Sequence, residues 1–325
     1  MSTELVEMQQ IRELTRLKCD SMRIEELGTV RCRDHVYPLT SFIFGSERKD
    51  VPTLGLFGGV HGLERIGTHV VIAFLETLIK QLQWDTDLQN SLKEARIVSI
   101  PLINPGGMHL HWRSNPNGVD LMRNAPIEVD KEAKRVPWLI SGHRISNKLA
   151  WYRGNGSQME VESQALVDFV RREIFPSPAA LTVDFHSGFG LKDRFWYPYA
   201  KTDKEFPLTN DVLRLVDLLN ETLPHHVYKI EPQSASYVTN GDLWDFLFDE
   251  HYNSADHKGQ IFIPWTLEMG SWTWVKKNPK QILTPLGLFN PMIDHRFDRT
   301  MRRHKLLIDF LLKAVKNFNI WHRPE

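Results

Sequence analysis

His61 and Glu64 stand three residues apart, just after a glycine-rich turn, in the stretch Leu54-Gly55-Leu56-Phe57-Gly58-Gly59-Val60-His61-Gly62-Leu63-Glu64. Imidazole nitrogen and carboxylate oxygen are both good zinc donors. Such a pair joined by one further histidine forms a catalytic zinc set whose fourth position stays open. Alone, the pair equally fits the polar start of a helix. The chain offers more. His186 ends the strand-like run 180–186, Glu268 ends the run 260–268, and Asn104 opens a turn after the run 95–103. In open α/β sheets ligands bind beyond the carboxyl ends of the strands. Four polar strand ends in one chain therefore point to one site.

The elements that must hold these residues follow from apolar periodicity. Leu54, Leu56 and Phe57 read as a buried strand that Gly58 and Gly59 break off. Residues 70–82, 161–174, 212–223, 241–249 and 301–318 carry helical spacing, as do residues 4–17 at the start. Residues 24–30 and 37–45 read as a hairpin, with residues 46–50 as a charged turn, and residues 227–230 as a short strand. Strands alternating with helices predict an α/β fold, a mostly parallel mixed sheet with helices on both faces. Residues 108–151 lack clean periodicity yet hold aromatic and apolar residues, which marks a functional loop region rather than disorder. No linker-like stretch divides the chain, so residues 1–325 are expected to form a single catalytic domain.

Composition excludes several classes. The 325 residues carry 40 basic and 40 acidic side chains, with no basic run for nucleic acid. The run 70–75 is too short to cross a bilayer, which takes about 20 apolar residues. Residues 1–7 lack the charged and apolar regions of a secretory leader, and the two cysteines, Cys19 and Cys32, make no disulfide framework. The expectation is a cytoplasmic protein with neither nucleic-acid nor membrane partner. Its oligomeric state stays open.

Six short motifs in order carry a family resemblance. They are Gly59-Val60-His61-Gly62-Leu63-Glu64; Asn104-Pro105-Gly106-Gly107; Trp112-Arg113 with Gly118 to Asn124; Asp184-Phe185-His186-Ser187; Tyr237-Val238-Thr239-Asn240-Gly241 with Asp245; and Thr266-Leu267-Glu268. From about residue 23 to the C-terminal helix, the chain resembles the zinc carboxypeptidases of the M14 family. The resemblance implies Zn²⁺ on His61, Glu64 and His186, with Asp120 orienting His61. It implies Glu268 as general base and Arg113 as oxyanion stabiliser. It further implies Arg123 as the partner of a terminal carboxylate. Ser187 would touch the substrate and Tyr237 would close over it.

One position departs from the family. Met122 precedes Arg123 where an asparagine usually helps to grip the carboxylate, and a thioether cannot do so. A zinc amidase of the aspartoacylase/succinylglutamate desuccinylase type, acting on a small acylated amino acid rather than a peptide, is therefore the alternative. A non-catalytic binding protein on the same fold is the third class, against which all three metal donors and the base stand present. Trp244 falls near where the family sets side-chain preference and could shorten the pocket. His69, His109 and His111 are a weaker set that could hold a second metal, with 109 and 111 on one side if extended.

Overall fold

The strands form one eight-stranded sheet whose central strands are buried on both faces. The computed structural model describes residues 4–17, 19–133, 140–188 and 190–323. Helix α1 (Val6–Arg16) leads into the expected hairpin, β1 (Met22–Cys32) and β2 (His35–Gly45). Next come β3 (Thr53–Gly58), α2 (Arg65–Gln81), α3 (Thr86–Lys93), β4 (Arg96–Ile100) and α4 (Pro105–Leu110). After the loop region follow α5 (Val161–Glu173), β5 (Ala179–Ser187), β6 (Arg194–Tyr197) and α6 (Thr209–Thr222). The chain closes with β7 (Lys229–Pro232), α7 (Leu243–Asn253), β8 (Ile261–Met269), α8 (Trp272–Lys277) and α9 (Asp294–Lys316).

The strand order is β1-β2-β4-β3-β5-β8-β6-β7. The central pairings β4/β3, β3/β5 and β5/β8 are parallel, as is β6/β7 at the edge. The pairings β1/β2, β2/β4 and β6/β8 are antiparallel. The fold is thus the expected α/β class with a mostly parallel mixed sheet. Leu54 and Leu56 of β3 join a core cluster with α1, α2, α6 and α9. Phe57 joins a second cluster with Leu166, Val170, Trp244 and Leu247 of α5 and α7. Helices therefore cover both faces. Each fully buried side chain of this kind contributes about 1.5–3 kcal/mol.

The strand ends meet because the helices pack closely on them. Gly67 lets α2 touch β5: a Cβ there would collide with the Phe185 carbonyl. That contact brings Glu64, at the head of α2, beside the end of β5. At the far side of α2, Glu7 of α1 accepts from Arg65 Nε at 2.6 Å and lies 2.9 Å from His69 Nε2. Burial raises the Glu7 carboxyl, but His69 and Arg65 outweigh it and hold it down at about 2.

Some elements differ from the sequence expectation. Helices α3, α4 and α8 and strand β6 were not legible as periodic runs. Helix α9 starts at Asp294 rather than near residue 301, and β7 starts at Lys229 rather than residue 227. Met108 to Leu110 belong to α4 and His111 caps it in a left-handed conformation, so the extended alternation of His109 and His111 does not occur. Among the described residues, no helix is long and apolar enough to cross a membrane.

Candidate metal centre and surrounding cavity

Side-chain alternation along β5 puts Ala179, Leu181, Val183 and Phe185 into the α2/α9 core and turns Thr182, Asp184 and His186 the other way. His186 stands opposite Glu268 in the parallel β5/β8 register. Glu64, at the first turn of α2, reaches between the two histidines. Its Oε1 lies 2.9 Å from His61 Nδ1 and its Oε2 3.1 Å from His186 Nδ1. The donor atoms of His61, Glu64 and His186 lie within 4.8 Å of one another, the one such three-donor group among the described residues. All three side chains are buried.

The outer nitrogens of both imidazoles face carboxylates. His61 Nε2 is 3.1 Å from Asp120 Oδ1. His186 Nε2 is 3.0 Å from Asp184 Oδ2, at ion-pair distance but without hydrogen-bond alignment. Protons on the outer nitrogens would leave both Nδ1 lone pairs free for a metal, and a donor set of two imidazoles and one carboxylate fits Zn²⁺. The residues present thus suit the metal that the sequence implied.

A network of charges fixes these groups. Arg113 donates from Nη1 to Glu64 Oε1 at 2.9 Å and from Nε to Asp120 Oδ2 at 3.1 Å. Arg123 Nη1 donates to the same Asp120 oxygen at 2.8 Å. Burial alone would raise the Asp120 and Glu64 carboxyls. The arginines and His61 hold Asp120 well below its usual range, and His61 and His186 do the same for Glu64. Burial works against the Arg113 charge, but Asp120 and Glu64 reverse that and raise its pKa. Asn104 ties the Arg113 backbone to the metal loop: its Nδ2 donates to Val60 O at 3.1 Å and to Arg113 O at 3.5 Å, and its Oδ1 caps α4 at Gly107 N.

His61, His186, Arg113, Arg123, Tyr237 and Glu268 all line one cavity of about 30 Å³, room for roughly one water. Met122 lines it too, beside Arg123. Tyr237 already leans over the space with its ring edge-on to Trp196, centroids 5.8 Å apart, and burial pushes its phenol up to about 12.

Five expected residues sit elsewhere. The Ser187 hydroxyl donates to Phe289 O at 2.8 Å, so it is turned away from the cavity, while the Ser187 amide donates to Glu64 Oε2. Trp244 does not border the cavity and cannot shorten it. It packs on Phe57 and donates from Nε1 to Asp184 Oδ2 at 3.0 Å, behind His186. His69 is spent on Glu7, whereas His109 Nδ1 lies 2.8 Å from Tyr37 Oη, so the three histidines do not gather around a second metal.

Two residues went unnoticed in the sequence. Asp242 lines the cavity, and its Oδ1 accepts from the Trp244 and Asp245 amides at 2.9 Å each as the cap of α7. Burial pushes its carboxyl up to about 6, offset in part by those amides and by Arg123. An aspartate just before an apolar helical run is a cap signal. Arg153, from the aperiodic loop, grips the carbonyls of Arg123, Ala125 and Ile127 and so holds the Arg123 segment in place. Gly241 lets this loop approach: a Cβ there would strike the Arg123 carbonyl, and its φ of 73° suits only glycine readily.

Two imidazoles, two arginines and Glu268 line one cavity on an α/β sheet, and Glu64 joins the imidazoles in a donor set that could hold a metal. The sequence profile of the zinc carboxypeptidases (Peptidase_M14) matches residues 14–273, and the chain belongs to that family. It is 35% identical over 154 residues to carboxypeptidase E of Caenorhabditis elegans, covering 42% of this chain and 30% of that protein. It is 24% identical over 222 residues to mast cell carboxypeptidase A of Rattus norvegicus, covering 62% and 50%. The matches thus span half or less of these relatives' length. Bovine thrombin-activatable fibrinolysis inhibitor, solved with a tick carboxypeptidase inhibitor, superposes with a TM-score of 0.66 at 18% identity, covering 97% of each chain. The carboxypeptidase A of Helicoverpa armigera gives 0.62 at 15%, covering 96% of this chain and 72% of that one. These likenesses agree on the fold, and none of them favours the amidase alternative.

Proposed function

We propose that the chain is a zinc-dependent carboxypeptidase that releases the last residue of a peptide, with residues 1–325 acting as one catalytic unit. The observation that carries this reading is that Arg123 and Glu268 border the same small cavity as His61 and His186. A reader of carboxylate and an acceptor of protons then face one scissile bond. A zinc ion on His61, Glu64 and His186 would lower the pKa of water toward neutrality and polarise the scissile carbonyl.

The chain's own groups do the rest. Glu268 takes the proton from the attacking water and later returns it to the leaving amine. Arg113 has Nε and Nη1 committed to Asp120 and Glu64, which leaves Nη2 for the oxyanion. Arg123 pairs with the terminal carboxylate. Met122, beside it, supplies no hydrogen bond, so Arg123 carries that recognition largely alone. Tyr237 covers the bound residue and excludes water. Asp242, on the cavity wall, offers negative charge where the terminal side chain would lie, so lysine or arginine is the favoured last residue. The two free thiols are compatible with a reducing, cytoplasmic setting.

The test combines metal content with product analysis. Purified protein should hold one zinc per chain and release single C-terminal amino acids from a peptide panel, read by mass spectrometry. Internal cleavage, or release of acyl groups from N-acyl amino acids but nothing from peptides, would overturn the reading.

A further inference from the structure

A second cavity, about 520 Å³ in volume, lies between the β6/β7 edge of the sheet and the first turns of α9, and shares no lining residue with the metal site. Its size is within the range of small-ligand sites. The chain as a whole is formally neutral, but this cavity is not. Lys192, Lys229, Arg296, Arg299 and Arg303 line it, against the single carboxylate of Asp193.

Two of these cations are already paired. Arg303 Nη1 donates to Asp193 Oδ2 at 2.7 Å, and Lys229 Nζ lies 2.6 Å from Glu231. Among the described residues, no carboxylate pairs with Lys192, Arg296 or Arg299 within 4.0 Å. The Arg296 Nε is buried and bonded to nothing. A buried donor without an acceptor is costly. Arg296, Arg299 and Arg303 also recur at helical spacing along one stripe of α9, where like charges repel. Lys192, Lys229 and Arg299 are exposed at the rim, whereas Arg296 and Arg303 are half-buried. The cations surround a concavity, and one donor, Arg296 Nε, is cut off from water.

We propose that this cavity binds a small phosphate-bearing anion. Three uncompensated cations match two to three negative charges, and guanidinium forks fit phosphate oxygens in a bidentate way. Tyr228 and Trp274 add ring surface to the wall, which suits an organic phosphate. The site also touches the catalytic strand. Asp193 Oδ1 accepts from Gly270 N at 3.0 Å, two residues beyond Glu268.

The probe is pyrophosphate, titrated calorimetrically into the full chain at constant ionic strength. Saturable binding at one site is expected, weakened at least tenfold in the double variant R296Q/R299Q. Circular dichroism would verify that this variant keeps its fold, and K192Q gives an independent third reading. The Glu268→Gln protein should bind like wild type. Absence of saturable heat overturns the proposal. So does equal affinity in R296Q/R299Q, which would place the anion at the metal centre.

Discussion

Replacing Asp242 by asparagine separates charge from architecture. Its Oδ1 caps α7 through the Trp244 and Asp245 amides, and asparagine caps as well as aspartate does. The helix should therefore stay formed, apart from a helix-dipole loss of about 0.3–1 kcal/mol. What disappears is the negative charge on the cavity wall. A charge-assisted hydrogen bond to a cationic side chain contributes about 1.5–3 kcal/mol. At about 1.4 kcal/mol per tenfold, kcat/KM for a C-terminal lysine substrate should fall roughly 10- to 150-fold. The matched phenylalanine substrate should change by less than about threefold. The carboxyl sits at about 6 in the free protein because burial disfavours its charge. The lysine-over-phenylalanine ratio of the wild type should therefore climb as pH rises through that value and be small below it. Steady-state kinetics on the two peptides at several pH values reads both effects. Equal kcat/KM for lysine and phenylalanine in the wild type, or equal losses in the variant, would refute the assignment of Asp242 to the side-chain pocket.

Glu268→Gln removes the proton acceptor and leaves the metal donors in place. Metal content should hold while turnover drops about 10²–10⁴-fold, and near-normal turnover would exclude Glu268 as the base. Glu162, buried at the head of α5, has its carboxyl raised to about 7 chiefly by burial, with Asn115 donating to it at 3.3 Å. Its folded pKa exceeds the unfolded value, so the protonated form favours folding and stability falls as pH rises from about 4.5 to about 7, by on the order of 3 kcal/mol. Glu162→Gln keeps an acceptor for Asn115 and should flatten that fall, raising Tm by a few degrees at about pH 8 relative to wild type. A variant no more stable than wild type there would show that the carboxylate is better solvated than its burial implies.

The central strands and the metal donors were legible because their signals are local. Leu54 to Phe57 alternate correctly, Gly58 and Gly59 stop the strand, and His61 and Glu64 follow within one turn. His186 and Glu268 were legible as strand ends, and the parallel register then sets them side by side. Strand β6 escaped notice because its four residues are too short for a period, and its pairing with β8 is non-local. Ser187 was misplaced for a similar reason: only the fold shows that Phe289, a hundred residues on, takes its hydroxyl. Trp244 turned inward and Asp242 toward the cavity because position along a motif does not show which side chain faces a cavity. The bulky indole found Asp184 and the Phe57 core, and the small capping aspartate was left on the wall. Arg153 lies in an aperiodic loop, where its grip on the Arg123 carbonyl leaves no trace in spacing.

The most direct measurement compares kcat/KM for one peptide with a free C-terminus and the same peptide amidated. If Arg123 reads the terminal carboxylate, the wild type should favour the free acid by roughly 10- to 150-fold, the equivalent of about 1.5–3 kcal/mol. Arg123→Ala should erase most of that preference. Met122→Asn should widen it by adding a second contact, without changing the rate on the amide. Equal rates on the two peptides in the wild type would mean that the carboxylate is not read, contradicting the exopeptidase account at its centre.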